Sequence, residues 1–260
     1  MLYFRGCTTR EKVNSISDST EKLLKLAKMD FKILDNEECC GSVLLRTGFE
    51  DEAKEHMEKN ITKLKDEKIV VTCAGCYKTL KNDYNDLLGV ELEVIHISQL
   101  LHSFIENNRI NHNKLNHNKL NSNKLTSTLT FNKYESVTYH DSCHLGRHMD
   151  EFDAPRKVIK NFSMLKEMEN IRENSICCGS GGGVKSAFPE IAKSIGIERG
   201  KEAENTGCHV LVTSCPFCKL NFDENSSLEV LDLSEFVLKQ FECESEILNK
   251  NKSEEDELDE

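Results

Sequence analysis

Two sets of five cysteines repeat along the chain in the same order and with nearly the same spacing. In each set one cysteine is followed by a Cys-Cys-Gly element, 32 residues later in the first set and 34 in the second. A C-x-x-C pair closes each set, 33 and 37 residues beyond that element's second cysteine. This repetition indicates an internal duplication. The first set is Cys7, Cys39, Cys40, Cys73 and Cys76, and the second is Cys143, Cys177, Cys178, Cys215 and Cys218.

Clustered cysteines of this kind are typical of metal-binding or redox sites in a reducing compartment. The sequence opens without a signal-peptide pattern, and we expect a cytoplasmic protein or one peripheral to a membrane complex. Adjacent cysteines point in different directions, which suits a multi-iron cluster better than a single ion. A zinc site is complete with four ligands, whereas each set offers five thiols. Iron–sulfur binding is the first interpretation, zinc in at least one set the second, and a thioredoxin-like dithiol the third.

The elements that position these cysteines are predicted from the hydrophobic pattern. Runs typical of buried strands occur at 69–72, 94–97, 210–214 and 230–233. Ser98 and Ser234 are predicted to cap the helices that follow two of these strands. Helical periodicity covers 21–29, 50–65, 155–162 and 187–205. The alternation predicts an α/β fold of two pseudo-repeated lobes, each a mainly parallel sheet with flanking helices and with cysteines at the C-terminal strand edge.

Composition divides the chain into four predicted segments. These are a first cysteine-rich lobe at 1–108, an Asn/Lys-rich low-complexity linker at 109–133, a second cysteine-rich lobe at 134–246 and an acidic tail at 247–260. The linker consists largely of three tandem pentamers with little apolar surface and is predicted to be disordered. The formal net charge of −11 argues against a nucleic-acid partner. No apolar run approaches the roughly 18 residues of a membrane span.

Five glycines near the cysteines are expected to serve the cofactor. The run from Gly179 to Gly183 fits neither common nucleotide-loop pattern, because Val184 occupies the next position. Small residues would instead allow backbone N–H groups to approach cluster sulfurs and so tune the cluster potential. The glycines assigned to this role are Gly41, Gly179, Gly181, Gly182 and Gly183.

Three basic side chains, His144, Arg147 and His148, closely follow Cys143. We predict a catalytic role in which they form a charged pocket wall that binds an anionic thiol substrate or supplies a proton. The alternative is that they pack and hydrogen-bond near the metal site without touching a substrate. The first set of cysteines has no equivalent group.

The doubled Cys-Cys-Gly and C-x-x-C pattern resembles the CCG cysteine-rich domain family. Its members include catalytic iron–sulfur subunits of heterodisulfide reductase, the iron–sulfur subunit of thiol:fumarate reductase, and subunits of glycolate and lactate oxidation systems. The resemblance covers roughly residues 1–243 apart from the linker. Ser142 stands where that family usually has proline. The segments most similar to the heterodisulfide reductase branch are 4–7, 73–80, 139–148, 177–183 and 215–218.

The resemblance implies that each set of five cysteines ligates one [4Fe–4S] cluster of non-cubane type. In the heterodisulfide reductase branch the two clusters face one another and split the disulfide between coenzyme M and coenzyme B. Larger members carry a ferredoxin segment that this sequence lacks, so the resemblance implies that electrons come from a partner. A ferredoxin-like, flavin or cytochrome subunit would fill that role.

We therefore expect the iron–sulfur subunit of a heterodisulfide-reductase-like oxidoreductase that acts on a small disulfide or dithiol substrate together with partner subunits. One alternative is an electron-transfer subunit of thiol:fumarate reductase or of a glycolate or lactate oxidation complex. A further alternative, from a different class, is a zinc-stabilised scaffold without turnover.

Overall fold

Eight short strands form two sheets of four in the computed structural model, which describes residues 1–107 and 133–242. The first lobe, residues 1–107, contains β1 (Leu2–Phe4), β2 (Lys32–Ile33), β3 (Lys68–Val71) and β4 (Glu93–His96). The second lobe, residues 133–242, contains β5 (Ser136–His140), β6 (Met164–Leu165), β7 (Val210–Thr213) and β8 (Glu229–Asp232).

The two sheets share one topology and one register. The order β2-β1-β3-β4 is repeated as β6-β5-β7-β8, and all neighbouring strands are parallel. Tyr3 pairs with Val70 in the first sheet, and Tyr139 pairs with Val212 in the second. These pairs stand at the same distances before the corresponding cysteines. The predicted α/β fold with two pseudo-repeated parallel lobes is confirmed.

Helices connect the strands and flank both sheets, as right-handed parallel connections require. In the first lobe they are α1 (Cys7–Lys12), α2 (Asn14–Leu26), α3 (Ser42–Arg46), α4 (Glu50–Leu64), α5 (Ala74–Lys78), α6 (Tyr84–Leu88) and α7 (Ile97–Glu106). A π-helical turn at Thr79–Asp83 joins α5 to α6. In the second lobe they are α8 (Asp153–Lys160), α9 (Val184–Ala187), α10 (Pro189–Glu204) and α11 (Pro216–Asn225), and residues 233–242 are also helical.

The helix predicted at 187–205 is divided in the structure. Ala187 ends α9 and Pro189 begins α10, with Phe188 between them. Proline is favoured at the first position of a helix because it lacks the N–H that would go unpaired there. The helix predicted at 21–29 begins earlier, at Asn14, and ends at Leu26.

The predicted serine caps are wrong, because a residue two positions earlier caps each helix. His96 Nδ1 accepts the backbone N–H of Ser98 at 3.2 Å, and Gln99 Oε1 accepts the N–H of His96 at 3.1 Å. In the second lobe Asp232 Oδ1 accepts the N–H of Ser234 at 2.9 Å. A capping side chain must stand before the helix with its backbone extended, and the last strand residue meets that condition.

The two lobes share their hydrophobic interior. One cluster of buried residues includes Phe4 and Tyr77 from the first lobe and Leu211 and Phe222 from the second. A second cluster joins helices α2 and α7 to the sheet of the second lobe. Because apolar surface of both halves is removed from water at this contact, its burial stabilises the packing of one lobe on the other.

The predicted linker at 109–133 lies outside the described residues except for Lys133, and the tail at 247–260 lies wholly outside them. The four segment boundaries therefore stay predictions. Within 1–107 and 133–242, no helix combines the length and the apolar character that crossing a membrane would need.

Candidate metal centre

The central strands of each sheet deliver two cysteines to the same edge. Cys7 and Cys73 follow the neighbouring strands β1 and β3, and Cys143 and Cys215 follow β5 and β7. Because parallel strands all end at one edge, the residues that follow them converge. The Cys-Cys-Gly elements arrive at the same edge from the connections after β2 and β6.

The C-x-x-C pairs open helices. Cys73 and Cys215 are the N-cap residues of α5 and α11, and Cys76 and Cys218 lie in the first turn of those helices. The two-residue gap therefore keeps both sulfurs of a pair at one helix end. The partial positive charge at a helix N-terminus favours the thiolate, which is the form that binds metal.

Carboxylates hold the loops that carry the opening cysteines. In the first lobe the Glu37 carboxylate accepts the backbone N–H groups of Arg5 and Gly6, both at 2.8 Å. In the second lobe the Asp141 carboxylate receives two hydrogen bonds from the Arg156 guanidinium, at 2.6 and 2.7 Å. Charge-assisted bonds of this kind fix the position of a loop strongly, so each opening cysteine is held at a defined place.

The five thiols of the first set form a continuous series. Cys7 Sγ and Cys39 Sγ are 3.8 Å apart. The Cys39 and Cys76 thiols lower the pKa of Cys40, and Cys40 and then Cys73 raise that of Cys76, so these sulfurs are neighbours. All five predicted ligands of the first set are thus brought together.

The second set forms a matching series. The Cys143 and Cys178 thiols lower the pKa of Cys177, so these three sulfurs are neighbours. Cys178 and then Cys215 raise the pKa of Cys218, which extends the series to all five. The structure brings these five predicted ligands together as well.

Cys73 and Cys215 join the two series. The Cys215 thiol raises the pKa of Cys73, and Cys218 and then Cys73 lower that of Cys215. The sulfurs of Cys73 and Cys215 are therefore neighbours, although one caps a helix of the first lobe and the other a helix of the second. Ten sulfurs therefore form a single path across the interface between the lobes. Nothing in the spacing within either set predicted this contact.

These thiols are not paired as disulfides. All eleven cysteines in the two described ranges are free, including Cys208, which belongs to neither set. The 3.8 Å between Cys7 and Cys39 far exceeds a sulfur–sulfur bond of about 2.05 Å. It matches the edge, about 3.8 Å, of a zinc tetrahedron with bonds of about 2.3 Å. That distance suits zinc as well as iron, and the fifth thiol of each set is what favours a cluster.

Neighbouring thiols change one another's acidity. Hydrogen bonds from Cys218 and Cys73 lower the pKa of Cys215, and hydrogen bonds from Cys143 and then Cys178 lower the pKa of Cys177. Shared S–H donors stabilise a thiolate among partners that keep their protons. Metal binding requires deprotonated sulfur, and in each set at least one thiol has a lowered pKa while most of its neighbours have a raised one.

Two of the predicted cofactor-binding glycines direct backbone N–H groups at cysteine sulfurs. Gly41 donates to Cys39 Sγ at 3.5 Å, and Gly179 donates to Cys177 Sγ at 3.4 Å. Both glycines have left-handed backbone angles, with φ of +87° and +85°, which residues with a Cβ rarely adopt. The third residue of each Cys-Cys-Gly element is thus explained by the turn that aims its N–H.

The other three predicted glycines, Gly181, Gly182 and Gly183, line a cavity of about 460 Å³ between the lobes. All five cysteines of the second set also line it, and the first lobe contributes Val43 and Arg46. The space enclosed among the cysteines of the first set is only about 30 Å³, the share of one water molecule in the liquid.

Of the three predicted catalytic residues, His144 is the one that lines this cavity in the described part of the chain. Its Nδ1 lies 3.4 Å from Cys143 Sγ, and its buried Nε2 has no hydrogen-bond partner among the described residues. The exposed His148 ring lies against it, with centroids 4.7 Å apart. Arg147 turns away and donates to the Ser175 carbonyl. Burial lowers the pKa of His144.

Two cations from the first lobe stand near this histidine pair. Arg46 donates to Asp83 at 2.8 Å, and Lys78 pairs with the same carboxylate. Burial and then Lys78 and Arg46 lower the pKa of His148. The π-helical turn places Asp83 between the two cations. Sequence reasoning missed this group because its members come from separate helices.

Two buried polar residues near the second set were also missed. A ring nitrogen of His140 and the sulfurs of Cys178 and Cys218 lie within 4.8 Å of one another. Ser142 Oγ donates to Cys218 Sγ at 3.6 Å. A signal was available in the sequence, since both polar residues lie within three positions before Cys143, at and just beyond the end of a strand.

The residues fit an iron–sulfur cofactor in their chemistry. Each lobe presents five soft thiols, a backbone N–H directed at sulfur, and little competing charge at its centre. Buried polar atoms of His140, His144 and Ser180 lack partners among the described residues. Such atoms are expected where a bound polar cofactor or ligand would supply the missing partner.

Comparison with known proteins agrees with this site. The family described as Cysteine-rich domain (CCG) matches residues 1–81 and 137–223. A relative named as part of the dihydromethanophenazine:CoB–CoM heterodisulfide reductase of Methanosarcina acetivorans is 37% identical over 241 residues, which cover 88% of this chain and 55% of that protein. Another, named as part of the fumarate reductase (CoM/CoB) of Methanothermobacter marburgensis, is 32% identical over 230 residues, covering 88% and 42%.

A third relative is the probable iron-sulfur-binding oxidoreductase FadF of Bacillus subtilis, 33% identical over 209 residues, which cover 78% of this chain and 27% of FadF. Among solved structures, a putative Asp/Glu racemase from Yersinia pestis aligns with 94% of this chain and 97% of its own at 11% identity. Its TM-score of 0.37 is too low to bear on fold or function. The chain spans about half the length of the heterodisulfide reductase subunits that it matches. The relatives are named as oxidoreductases or their subunits, and the chain belongs to the CCG cysteine-rich domain family.

Proposed function

We propose that this chain is an iron–sulfur subunit of a heterodisulfide-reductase-like oxidoreductase, in which each set of five cysteines binds one [4Fe–4S] cluster. The observation that carries the proposal is the unbroken series of ten thiols, which crosses the lobe interface at Cys73 and Cys215 and borders a cavity on one side. Bound clusters would supply or accept electrons one at a time along that path. A structural zinc site would need neither the fifth thiol nor the path.

The cavity suits a small organic substrate. Its volume of about 460 Å³ lies within the usual range of ligand pockets, about 300–1,000 Å³. Arg46 and Lys78 share the single carboxylate of Asp83, so a net positive charge remains near the wall. We infer a substrate with an anionic group beside its sulfur, such as the heterodisulfide of coenzyme M and coenzyme B named in the relatives.

The reaction requires protons as well as electrons. Reduction of a disulfide breaks one sulfur–sulfur bond, takes up two electrons and two protons, and yields two thiols, and oxidation reverses each change. His144 lies at the cavity wall with a free Nε2. Because burial lowers its pKa, it would be neutral near pH 7 and able to take a proton from a thiol, and the adjacent exposed His148 connects it to water.

The electrons would pass to or from a partner subunit of ferredoxin-like, flavin or cytochrome type. A cytoplasmic location, peripheral to a membrane complex if the partner is a cytochrome, agrees with this proposal. The second candidate is thiol oxidation coupled to fumarate reduction. The relative from the fumarate reductase (CoM/CoB) of Methanothermobacter marburgensis, 32% identical to this chain, favours that candidate.

The test is anaerobic purification followed by iron, sulfide and zinc analysis of the unmodified chain and of two variants. Two clusters of this type correspond to about eight irons per chain. Cys215→Ala should lose about four of them, because it removes a ligand from one set. Cys208→Ala, at a buried cysteine outside both sets, should keep all of them. Two zincs without iron would overturn the proposal.

The assay for substrate uses the loaded chain with its native partner fraction. Turnover of the coenzyme M–coenzyme B disulfide supports the first candidate, and thiol oxidation that depends on fumarate supports the second. Failure of both reactions with fully loaded protein would contradict the thiol/disulfide assignment.

A further inference from the structure

We propose that His140, assisted by Ser142, donates hydrogen bonds to sulfur in the second lobe and thereby gives the two cofactors of this chain different reduction potentials. This inference rests on the proposed function, because it requires a cluster at each set of cysteines. It concerns residues of the chain itself, which are positioning residues for the cofactor rather than groups that touch a substrate.

The position of His140 is tightly defined. It is the last residue of β5, its side chain is fully buried, and its ring packs edge-on against Phe222 with centroids 4.8 Å apart. A ring nitrogen and the sulfurs of Cys178 and Cys218 lie within 4.8 Å of one another. The Nε2 atom is buried and has no hydrogen-bond partner in the described part of the chain. An unpartnered nitrogen and two metal-binding sulfurs therefore belong to one buried group of side chains.

The neighbouring arginine determines which nitrogen carries the proton. Arg199 Nε donates to His140 Nδ1 at 3.3 Å, and an arginine N–H can only donate. Nδ1 must then act as the acceptor, so the proton of the ring is on Nε2. Arg199 is itself fully buried and held by Asn170, whose carbonyl accepts from Nη2 at 2.9 Å. The Nε2–H of His140 is thus a donor of fixed orientation that has no acceptor among the described residues.

Ser142 adds a second donor on the same face. It is 1% exposed, and its hydroxyl donates to Cys218 Sγ at 3.6 Å. Ser142 lies two residues beyond the end of β5, and Cys218, which accepts its hydroxyl, is also one of the two cysteines grouped with His140. The hydroxyl also lies 3.3 Å from Thr213 Oγ1, which restricts its rotation.

The first lobe has neither donor. Phe4 stands three residues before Cys7, as His140 stands three before Cys143, and it is fully buried. Gly6 takes the place of Ser142, and a Cβ added to it would lie only 3.0 Å from Cys76 Sγ. The duplicated strands therefore present a hydrocarbon ring and a bare backbone to one set of sulfurs and two polar donors to the other.

This difference between the lobes shifts the reduction potential of the second cofactor in a definite direction. Reduction adds negative charge to the cluster and its sulfurs, and hydrogen bonds to those sulfurs stabilise the reduced state. The charge of Arg199 is balanced by its ion pair with Glu202, so the sign of the shift follows from the hydrogen-bond donors. The second cofactor should therefore have the more positive potential and should hold the electron at equilibrium, on the side of the molecule where the cavity lies.

The experiment exchanges the donors between lobes in the loaded chain. His140→Phe copies the first lobe, and His140→Gln keeps one acceptor for Arg199 and one N–H donor. Ser142→Gly copies Gly6, and His209→Phe, at an exposed histidine of the same lobe, is the matched control. Midpoint potentials of both cofactors are measured by anaerobic redox titration with EPR detection, alongside iron content.

We expect His140→Phe to change the one-electron equilibrium constant of one cofactor about tenfold. Its midpoint potential would then become more negative by about 59 mV. Ser142→Gly should shift the same potential less, and His140→Gln should recover most of the loss. The other potential and all His209→Phe values should not move. With ¹⁵N-labelled histidine, pulsed EPR should show a weak nitrogen coupling that His140→Phe abolishes.

Unchanged potentials in fully loaded His140→Phe protein would overturn the inference while leaving the proposed function intact. Equal potentials in the His140→Phe and His140→Gln variants would also overturn it. The loss of about four irons in both variants would overturn it too, because His140 would then be a ligand or a structural residue. If the unmodified chain binds no iron, the proposed function fails first, and the inference fails with it.

Discussion

The two lobes carry the same thiols on the same four strands, yet they differ in access. The cavity of about 460 Å³ borders the second set of cysteines, while the first set encloses only about 30 Å³. The opening cysteine of each set is partly exposed, and both C-x-x-C pairs are buried. Duplication thus kept the ligand geometry, and the space around it diverged.

The cause is visible in the residues after each Cys-Cys-Gly-Ser element. The first lobe continues with Val43, Leu44 and Leu45 in α3, and the second continues with Gly181, Gly182 and Gly183. A Cβ added at Gly181 or Gly182 would meet no atom within 4 Å. The missing side chains at Gly181 and Gly182 therefore leave room beside the second set, whereas a Cβ at Gly183 would lie 2.6 Å from Thr47 Cγ2. Access to the cysteines in this fold thus depends on one short loop.

The strongest test of this comparison is to give the second lobe the side chain of the first. Gly181→Val copies Val43, and the backbone at Gly181 lacks the positive φ of its two successors, so the chain should fold and load iron normally. We expect disulfide turnover to fall about 100-fold, because a substrate displaced by about 1 Å loses that much. The measurement is kcat/KM together with iron content.

Gly181→Ala is the graded control, and it should lose much less activity because a methyl group fills less of the cavity. Equal turnover in Gly181→Val and the unmodified protein would show that the substrate does not occupy this space.

The lobes also differ in the charge that they contribute to the cavity wall. In the first lobe Arg46 and Lys78 share Asp83, whereas Lys185 of the second lobe has Glu224 to itself at 2.8 Å. We expect Arg46→Met to raise KM about tenfold for an anionic substrate, equivalent to about 1.4 kcal/mol, with a smaller effect on kcat. Steady-state kinetics at two salt concentrations measures this effect.

The matched variant is Lys185→Met, which removes a cation that already has its own carboxylate and should change KM little. A larger effect from Lys185→Met than from Arg46→Met would reverse the assignment of the attractive charge to the first lobe.

The difference expected to affect turnover least concerns the two helix caps, which act on stability. Burial lowers the pKa of His96 to about 4, so its contribution to stability is complete above the unfolded pKa of about 6.5 and is lost as pH falls toward 4. Burial and then Glu235 raise the pKa of Asp232 to about 7, so its contribution is complete below about 3.8 and is lost as pH rises toward 7.

Asp232→Asn keeps a capping oxygen and removes the titration. Between pH 4 and 7 we expect its free energy of unfolding to rise relative to the unmodified protein, by up to about 1.4 kcal/mol per pH unit. His96→Gln should show the opposite trend over pH 4 to 6.5. Anaerobic urea unfolding at several pH values measures both, and parallel curves for variant and parent would contradict the assigned pKa values.

Sequence reasoning succeeded where short-range pattern sets the structure. The runs before Cys73 and Cys215 are strands because they are β-branched and buried on both faces, and the duplicated spacing correctly divided the chain into two parallel lobes. It failed at the caps, because Ser98 and Ser234 have the right residue type but stand two positions too late.

Features that depend on the contact between the two lobes could not be predicted from the sequence. The meeting of Cys73 with Cys215, the cavity, and the approach of Arg46 to the histidine pair all join residues that lie far apart in the chain. Their placement is decided by the shared apolar core, whose packing has no periodic signature. Of the three predicted catalytic residues, His144 lines the cavity and Arg147 points elsewhere, and their roles stay predictions.

The small space around the first set bears on how the protein would acquire iron. Cys40, Cys73 and Cys76 are at most 4% exposed, and Phe217 of the second lobe lies over them. A delivery protein with a cluster on its surface could not bring that cluster within bonding distance of these sulfurs once the halves have docked. On the proposed function, loading of the amino-terminal half must therefore precede docking, an order that synthesis from the amino terminus provides, since that half leaves the ribosome first.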